Sequence, residues 1–249
     1  MTDFVRSPNL PKKVETLIIG SKYRGVLEAS LTNLGIDVIW IDENPDVDPR
    51  LASHCDLSVL HTGGNSFILA PYLSDSFFTK KMKKAGANIT FAGIRQKSEY
   101  PHDAQLNQCI FGEYRIFNPK SAFEFNSKNL INVTCTQGYA RCSVCIVSER
   151  AIITADRIIA ERAGEKGIDV LLISPGGISL DGFPYGFIGG AAFKLSENTL
   201  AFTGHLKNHA DRDRIEKFLN LHEVEIEYLT EYPAFDIGGA IPLSEKISY

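Results

Sequence analysis

The sequence predicts one α/β domain built from five similar ββαβ modules that form a ring with pseudo-fivefold symmetry. Three observations lead to this prediction: a repeated order of elements, a first module without its opening strand, and an isolated strand pattern near the end. Repetition of this kind is typical of propeller architectures, in which each unit packs on its neighbours. The 249 residues suffice for one such domain. We expect residues 1–13 to form an irregular lead, 14–243 the ring and 244–249 a tail.

The module order is strand, tight turn, strand, usually a helix, and a final strand. It is clearest in the succession "CSVCIV", "SER", "AIITAD", "RIIAERAGEKG" and "IDVLLIS". Related patterns surround "LSVLHTGGNSFILAPYL", "AQLNQCIFGEYRIFNP" and "IGGAAFKLSENTLAFTG". Apolar residues spaced three and four apart predict the helices. Short runs of Ile, Val, Leu and Phe between turn residues predict the strands.

The first module is incomplete, since "VETLIIGS" leads into the helix "GVLEASLTNLG" and the strand "IDVIWID" with no preceding strand. Near the end of the sequence, "FDIGGAIPL" resembles the opening strand "FIGGAAFKL" of the preceding module. We therefore expect the C-terminal strand to complete the first module and close the ring. The alternative is an open α/β sheet whose modules share only a βαβ rhythm.

Composition and charge restrict the classes of partner. The net charge of -4 disfavours nucleic acid, which needs a basic face, and "TKKMKK" is typical of the solvated side of a short helix. No window approaches the ~18 apolar residues of a membrane span, and the start lacks a signal-peptide core. Five cysteines form no small-domain framework, so we expect free thiols in a cytoplasmic protein. A single C-x-x-C without a second pair predicts no metal site, and no cofactor is expected.

The five modules, with "YGFIGGA", "IITAD", "GIDVLLISPG" and "DIGGAIPL", resemble the pentein fold. This fold is shared by arginine and agmatine deiminases, amidinotransferases, dimethylarginine hydrolases and a non-enzymatic ribosome anti-association factor. More narrowly, the motifs resemble a bacterial pentein-like family without an assigned activity. The resemblance implies a small polar, arginine-like or other guanidino-type ligand in a central channel. It further implies either hydrolase or amidinotransferase-like chemistry on a C–N bond, or a non-catalytic interaction protein.

The usual nucleophile of those enzymes is absent from its expected position. It resembles a Cys four residues after a C-terminal Gly-Gly, and here that position is Leu243, preceded by Pro242. No His stands near residues 188–190, where the resemblance implies one. Three possibilities stay open: a nucleophile moved to another module, a small-molecule binding protein, and a surface-interaction protein.

Cys142 is the candidate nucleophile. It stands at the start of the predicted strand "CSVCIV" beside Arg141, whose charge would lower a thiol pKa if close. The alternative is a half-buried thiol that acts as a small hydrophobic residue. Cys145 is predicted to be a core residue. Residues three apart in a strand face opposite sides, so the two cysteines are not expected to pair.

Polar residues where modules begin are the candidate ligand contacts. Asp103 and Asn107, four apart, are predicted at the start of a first strand, where the alternative is an Asx turn before the strand. Asp156 follows a strand, where the alternative is a helix N-cap. Glycine pairs would permit close approach of a ligand or of packed backbone, and a nearby Asp would add negative charge. The predicted ligand-binding residues are Asp103, Asn107, Arg141, Asp156, Gly189, Gly190 and Asp236.

Overall fold

A computed structural model describes residues 3–93 and 95–246 of the chain. Its strands are β1 (Val14–Gly20), β2 (Asp37–Ile41), β3 (Val59–Gly63), β4 (Ser66–Leu69), β5 (Asn88–Phe91), β6 (Cys109–Phe111), β7 (Tyr114–Phe117), β8 (Ile131–Thr134), β9 (Val144–Ser148), β10 (Ala151–Thr154), β11 (Asp169–Leu172), β12 (Ala192–Ser196), β13 (Thr199–Phe202), β14 (Glu225–Tyr228) and β15 (Ile241–Glu245). Its helices are α1 (Arg24–Asn33), α2 (Phe77–Lys84), α3 (Ala140–Ser143), α4 (Arg157–Gly164) and α5 (Arg212–Leu221).

The strands form five three-stranded sheets. We number them in chain order: sheet I is β15–β1–β2, sheet II β3–β4–β5, sheet III β6–β7–β8, sheet IV β9–β10–β11 and sheet V β12–β13–β14. In each sheet the middle strand pairs antiparallel with one neighbour and parallel with the other. Parallel pairs require a crossover connection. Helices α1, α2, α4 and α5 provide it in sheets I, II, IV and V, and an irregular segment provides it in sheet III.

The predicted pairing of the first and last strands is observed. β15 runs antiparallel to β1, with Ile241 opposite Ile18 and Pro242 opposite Leu17. The buried carboxylate of Glu245 accepts hydrogen bonds from the backbone N–H of Arg6 (3.2 Å) and of Lys12 (2.6 Å). The last strand therefore holds the N-terminal segment as well as β1. Within the described residues each sheet stays open, and none closes on itself.

Apolar side chains between sheets supply the core. Five buried clusters each join two sheets: III with IV, IV with V, V with I, I with II, and II with III. In the cluster between sheets IV and V, for example, Val147 and Ile153 pack with Leu200 and Phe202. Each sheet thus buries side chains against two others. No helix among the described residues combines the length and apolar character needed to cross a membrane.

The prediction that "CSVCIV" is a strand throughout was wrong at its start. Cys142 lies in the helical turn α3, and β9 begins only at Val144. The side-chain oxygen of Asn107 accepts hydrogen bonds from the backbone N–H of Arg141 (2.8 Å) and of Cys142 (3.2 Å), which satisfies the first donors of this turn. Asn107 itself lies in the loop before β6, as does Asp103, and not in the strand.

Candidate functional site

A cavity of about 230 Å³ lies between the loop that precedes β3 and the loop that follows β11. Its lining combines apolar and aromatic side chains with a thiol, an imidazole and a carboxylate. The lining residues are Leu51, His54, Leu57, Tyr139, Cys142, Leu180, Phe183, Pro184, Tyr185, Phe187 and Asp236. A concave apolar pocket with a few convergent polar groups is the usual form of a small-molecule site.

The Cys142 thiol is held by two polar side chains. It donates a hydrogen bond to Oδ2 of Asp56 at 2.8 Å and accepts one from Nδ2 of Asn107 at 3.3 Å. Burial, followed by the negative charges of Asp56 and Asp236, raises the pKa of Cys142 well above its ordinary value. Both effects favour the protonated thiol, and a bound cation would oppose the two charges that raise its pKa.

Asp56 and His54 stand next to the thiol. Burial raises the pKa of Asp56 to about 6, against the opposing effect of His54 and of the Cys142 hydrogen bond. Oδ1 of Asp56 and Nε2 of His54 are buried without a hydrogen-bond partner among the described residues. Nδ1 of His54 lies 3.9 Å from Oδ1 of Asp236. Buried polar groups are normally paired. His54 lines the cavity, so its free nitrogen is available to a ligand there.

The Asp236 carboxylate is fixed by backbone donors. Its Oδ2 accepts from the N–H of Phe187 at 2.8 Å, and its Oδ1 accepts from the N–H of Gly238 at 2.9 Å. A side chain at Gly190 would collide with this carboxylate. Gly238 has φ +71 and a Cβ there would meet the His54 side chain, so glycine is needed at both positions.

Arg141 is buried behind the cavity and is absent from its lining. Its Nε donates to Oδ1 of Asn9 at 3.2 Å, and its Nη1 donates to the carbonyl oxygen of Gly189 at 3.0 Å. Its positive charge partly opposes the effect of burial, which raises the pKa of Asp56. The guanidinium group therefore supports the backbone around the site.

Asp103 acts on the cavity through another residue. Its Oδ2 accepts a hydrogen bond of 2.6 Å from the hydroxyl of Tyr139, which lines the cavity. Burial raises the pKa of Asp103. Asp103 therefore orients an aromatic wall of the site.

Asp156 lies elsewhere. Its Oδ1 accepts from the N–H of Ile159 at 2.9 Å and caps α4, which is the structural alternative noted from the sequence. It borders a second cavity of about 180 Å³ with Ser143 and His209, and this cavity shares Tyr185 and Phe187 with the first. The structure thus brings together Cys142, Asn107, Asp236 and the glycine pair of residues 189–190, and leaves Asp156 apart.

Sequence reasoning missed His54 and Asp56. Both stand in "SHCDLS", directly before a predicted strand. The criterion of polar residues at the entry of a module selects Asp103 and Asn107 from the sequence. Applying that criterion to every module would have selected this pair.

His54, Asp56 and Cys142 also form a group with ligand atoms within 4.8 Å of one another, so they could hold a metal ion. The 2.8 Å separation of Sγ and Oδ2 is shorter than the roughly 3.5 Å that tetrahedral zinc bond lengths would give. The observed contact is therefore a hydrogen bond between thiol and carboxylate.

Residues 18–241 match the model of a family of unknown function (DUF6873). The chain belongs to this family. No curated protein matches its sequence at a significant level.

Solved structures identify the fold. The chain is similar to inosamine-phosphate amidinotransferase StrB1 from Streptomyces griseus, at a TM-score of 0.60 and 13% identity over 99% of this chain and 98% of that one. It is similar to SxtG, an amidinotransferase of saxitoxin biosynthesis from Microseira wollei, at a TM-score of 0.56 and 12% identity over 98% of both chains. A Campylobacter jejuni (C. jejuni) agmatine deiminase gives a TM-score of 0.51 and 10% identity over 96% of both. The family member described here has the pentein superfold of these proteins, as its sequence motifs predicted.

Proposed function

We propose that this protein is an enzyme that acts on a guanidino group, with Cys142 as its nucleophile. The observation that carries the proposal is that a thiol, an imidazole and the Asp236 carboxylate line one cavity, with a second carboxylate, that of Asp56, hydrogen-bonded to the thiol. Asp56 and Asp236 suit a cationic guanidinium group, since carboxylates accept hydrogen bonds from its planar array of donors. Agmatine deiminase and two amidinotransferases share the fold, which supports this class of substrate.

The substrate would activate its own nucleophile. Asp56 and Asp236 raise the pKa of Cys142, and a guanidinium ion held between them would offset this effect. The pKa of Asp56, about 6, suits a group that accepts the thiol proton near neutral pH. Its hydrogen bond with the thiol provides the route for that transfer.

The chemistry then has two stages. Sγ of Cys142 attacks the guanidinium carbon as its proton passes to Asp56, and a proton delivered by His54 allows one nitrogen to leave as the C–N bond breaks. The product of this stage is a thiouronium linked to Cys142. Water then attacks the same carbon and gives one proton back to His54. The S–C bond breaks as the Asp56 proton returns to the thiol, and a urea-type product is released together with a proton that the departed amine takes up. An amine in place of water would give amidino transfer.

A ring of five modules would explain the position of this nucleophile. The buried clusters link the five sheets in a cyclic order, which supports a propeller with pseudo-fivefold symmetry. In such a ring, equivalent strand openings from different modules face one channel. A thiol before β9 could then serve where Leu243, buried in the core between sheets I and II, offers no nucleophile.

The test combines turnover with trapping of the covalent intermediate. The protein is incubated with agmatine, arginine, methylguanidine or n-butylguanidine, and released ammonia or amine is measured. Rapid quenching and intact-protein mass spectrometry then detect a thiouronium adduct. We expect Cys142→Ala to abolish the adduct and lower turnover at least about 10³-fold. Cys109→Ala, which removes another buried free thiol outside the cavity, should retain both.

An equal effect of the two substitutions, or no guanidine turnover and no adduct, would contradict the proposal. Loss of turnover on adding a chelator, with no adduct on Cys142, would instead indicate metal chemistry at His54, Asp56 and Cys142. Ligand binding without turnover would favour a non-catalytic role on the same fold.

A further inference from the structure

The cavity differs sharply between its inner end and its walls. Cys142, His54 and Asp236 stand at the polar end. The remaining lining residues are apolar or aromatic: Leu51, Leu57, Tyr139, Leu180, Phe183, Pro184, Tyr185 and Phe187. Leu51, Leu57, Leu180 and Phe183 belong to a single apolar cluster between the two loops.

The lining contains no Lys or Arg side chain among the described residues. Two arginines near the cavity are already engaged. Arg141 is buried and bonded to Asn9 and backbone oxygens. Arg50, near the rim, forms an ion pair of 2.6 Å with Asp48, donates to the carbonyl oxygen of Gly182 and stacks on Phe183.

An unpaired charge is costly to bury. A substrate that carried a carboxylate, as arginine does, would bring that charge against Leu57 and Leu180 without a cationic partner. A second ammonium group, as in agmatine, would meet the same apolar wall. A hydrocarbon chain or ring, in contrast, gains free energy from burial there.

We propose that the substrate is a monosubstituted guanidine whose substituent is an uncharged alkyl or aryl group. This inference rests on the proposed function of the site. The guanidinium group occupies the carboxylate end near Cys142, and the substituent packs against Leu57, Leu180 and Phe183. The aromatic side chains of Tyr139 and Tyr185 add planar surfaces for an aryl group.

Three matched compounds test this substrate class. n-Butylguanidine, agmatine and 4-guanidinobutyrate share the guanidino group and a four-carbon chain, and differ in an uncharged, cationic or anionic end. We expect kcat/KM for n-butylguanidine to exceed that for either charged analogue at least about 100-fold. From methyl- to n-butylguanidine, kcat/KM should rise about fourfold for each added methylene group.

Variants of the wall separate a specific role from general damage. Leu180→Arg introduces a cation into the apolar wall and should raise the use of 4-guanidinobutyrate relative to n-butylguanidine at least tenfold. Leu180→Gln, which adds polarity without charge, should not. Arg50→Gln should leave the preference unchanged, because Arg50 is paired with Asp48. Binding of the same compounds to Cys142→Ser protein, followed by thermal shift, gives a second readout.

The possible outcomes distinguish the two proposals. Preference for 4-guanidinobutyrate, arginine or agmatine would overturn the inferred substrate class and leave the guanidino chemistry standing. A loss of that preference in Arg50→Gln would identify Arg50 as the carboxylate receptor and would also overturn it. If no guanidine binds and no adduct forms, the proposed function fails, and the inferred substrate class fails with it.

Discussion

At the scale of single residues, the site depends on a carboxylate in an unfavourable environment. Asp56 is buried and accepts one hydrogen bond from a thiol, and its other oxygen has no partner within the part of the chain that the structure describes. Burial raises its pKa from 3.8 to about 6. Such perturbed groups cluster at functional sites, where the lost stability serves binding or catalysis.

This pKa shift predicts a pH-dependent stability cost. The folded protein binds the Asp56 proton more tightly than the unfolded chain, so its stabilising contribution is present below pH 4 and is lost as the pH rises through 6. We expect Asp56→Asn to become more stable relative to the parent protein by on the order of 1–3 kcal/mol between pH 4 and 7. Urea unfolding of both proteins across this range measures the difference. A difference that does not change with pH would contradict the assignment.

At the scale of elements, the helical turn α3 and the glycine pairs set the geometry of the site. Gly190 donates its N–H to the carbonyl oxygen of Cys142 at 3.0 Å and accepts hydrogen bonds from Ile237 and Gly239. It therefore joins the turn that carries the thiol to the segment that carries Asp236. Its lack of a side chain lets these segments meet.

We expect Gly190→Ala to destabilise the fold by about 1–3 kcal/mol, because the new methyl group overlaps the Asp236 carboxylate. It should also weaken guanidine binding, since Asp236 must move. Gly25→Ala is the matched control: Gly25 lies in α1 with open space around its Cβ position. That substitution should stabilise the protein by about 0.5–1 kcal/mol. Equal denaturation midpoints for the two variants would show that Gly190 is not sterically restricted.

Local pattern predicted most elements, because strand runs and helix periodicity are properties of neighbouring residues. The order of each module and the pairing of β15 with β1 followed from such patterns. The α3 turn could not be predicted in this way, since Asn107 satisfies its N–H groups from another module. The role of Asp56 could not be predicted from local pattern either, because its burial and its contact with Cys142 arise only when distant loops meet.

At the scale of the whole molecule, the described sheets depend on a contact between the two ends of the sequence. Glu245 ties the N-terminal segment to β15 through two backbone donors, with its partner Arg6 239 residues away in sequence. Two apolar clusters then pack sheet I, which contains this strand pair, against sheets II and V. A substitution that weakens the pairing of β1 with β15 is therefore expected to lower the stability of the entire fold.

We expect Glu245→Ala to lower the unfolding free energy by about 1–3 kcal/mol, because it leaves the N–H groups of Arg6 and Lys12 without their acceptor. Glu15→Ala, in the exposed position of β1 within the same sheet, should change it by less than about 0.5 kcal/mol. Thermal and denaturant unfolding of both variants provide the comparison. A similar loss of unfolding free energy in both variants would mean that the Glu245 contacts stabilise the fold no more than an exposed side chain of the same sheet does.

The pairing of β1 with β15 also has a consequence for biosynthesis. At a translation rate of roughly 5–20 residues per second, β1 waits roughly 10–50 s before its antiparallel partner is made. During that interval one edge of β1 offers unpaired N–H and C=O groups to other chains. Pairing over such a sequence distance is also slow once the chain is complete. The nascent chain is thus exposed to misassembly at β1, and the yield of folded protein should depend on how crowded the translating ribosomes are.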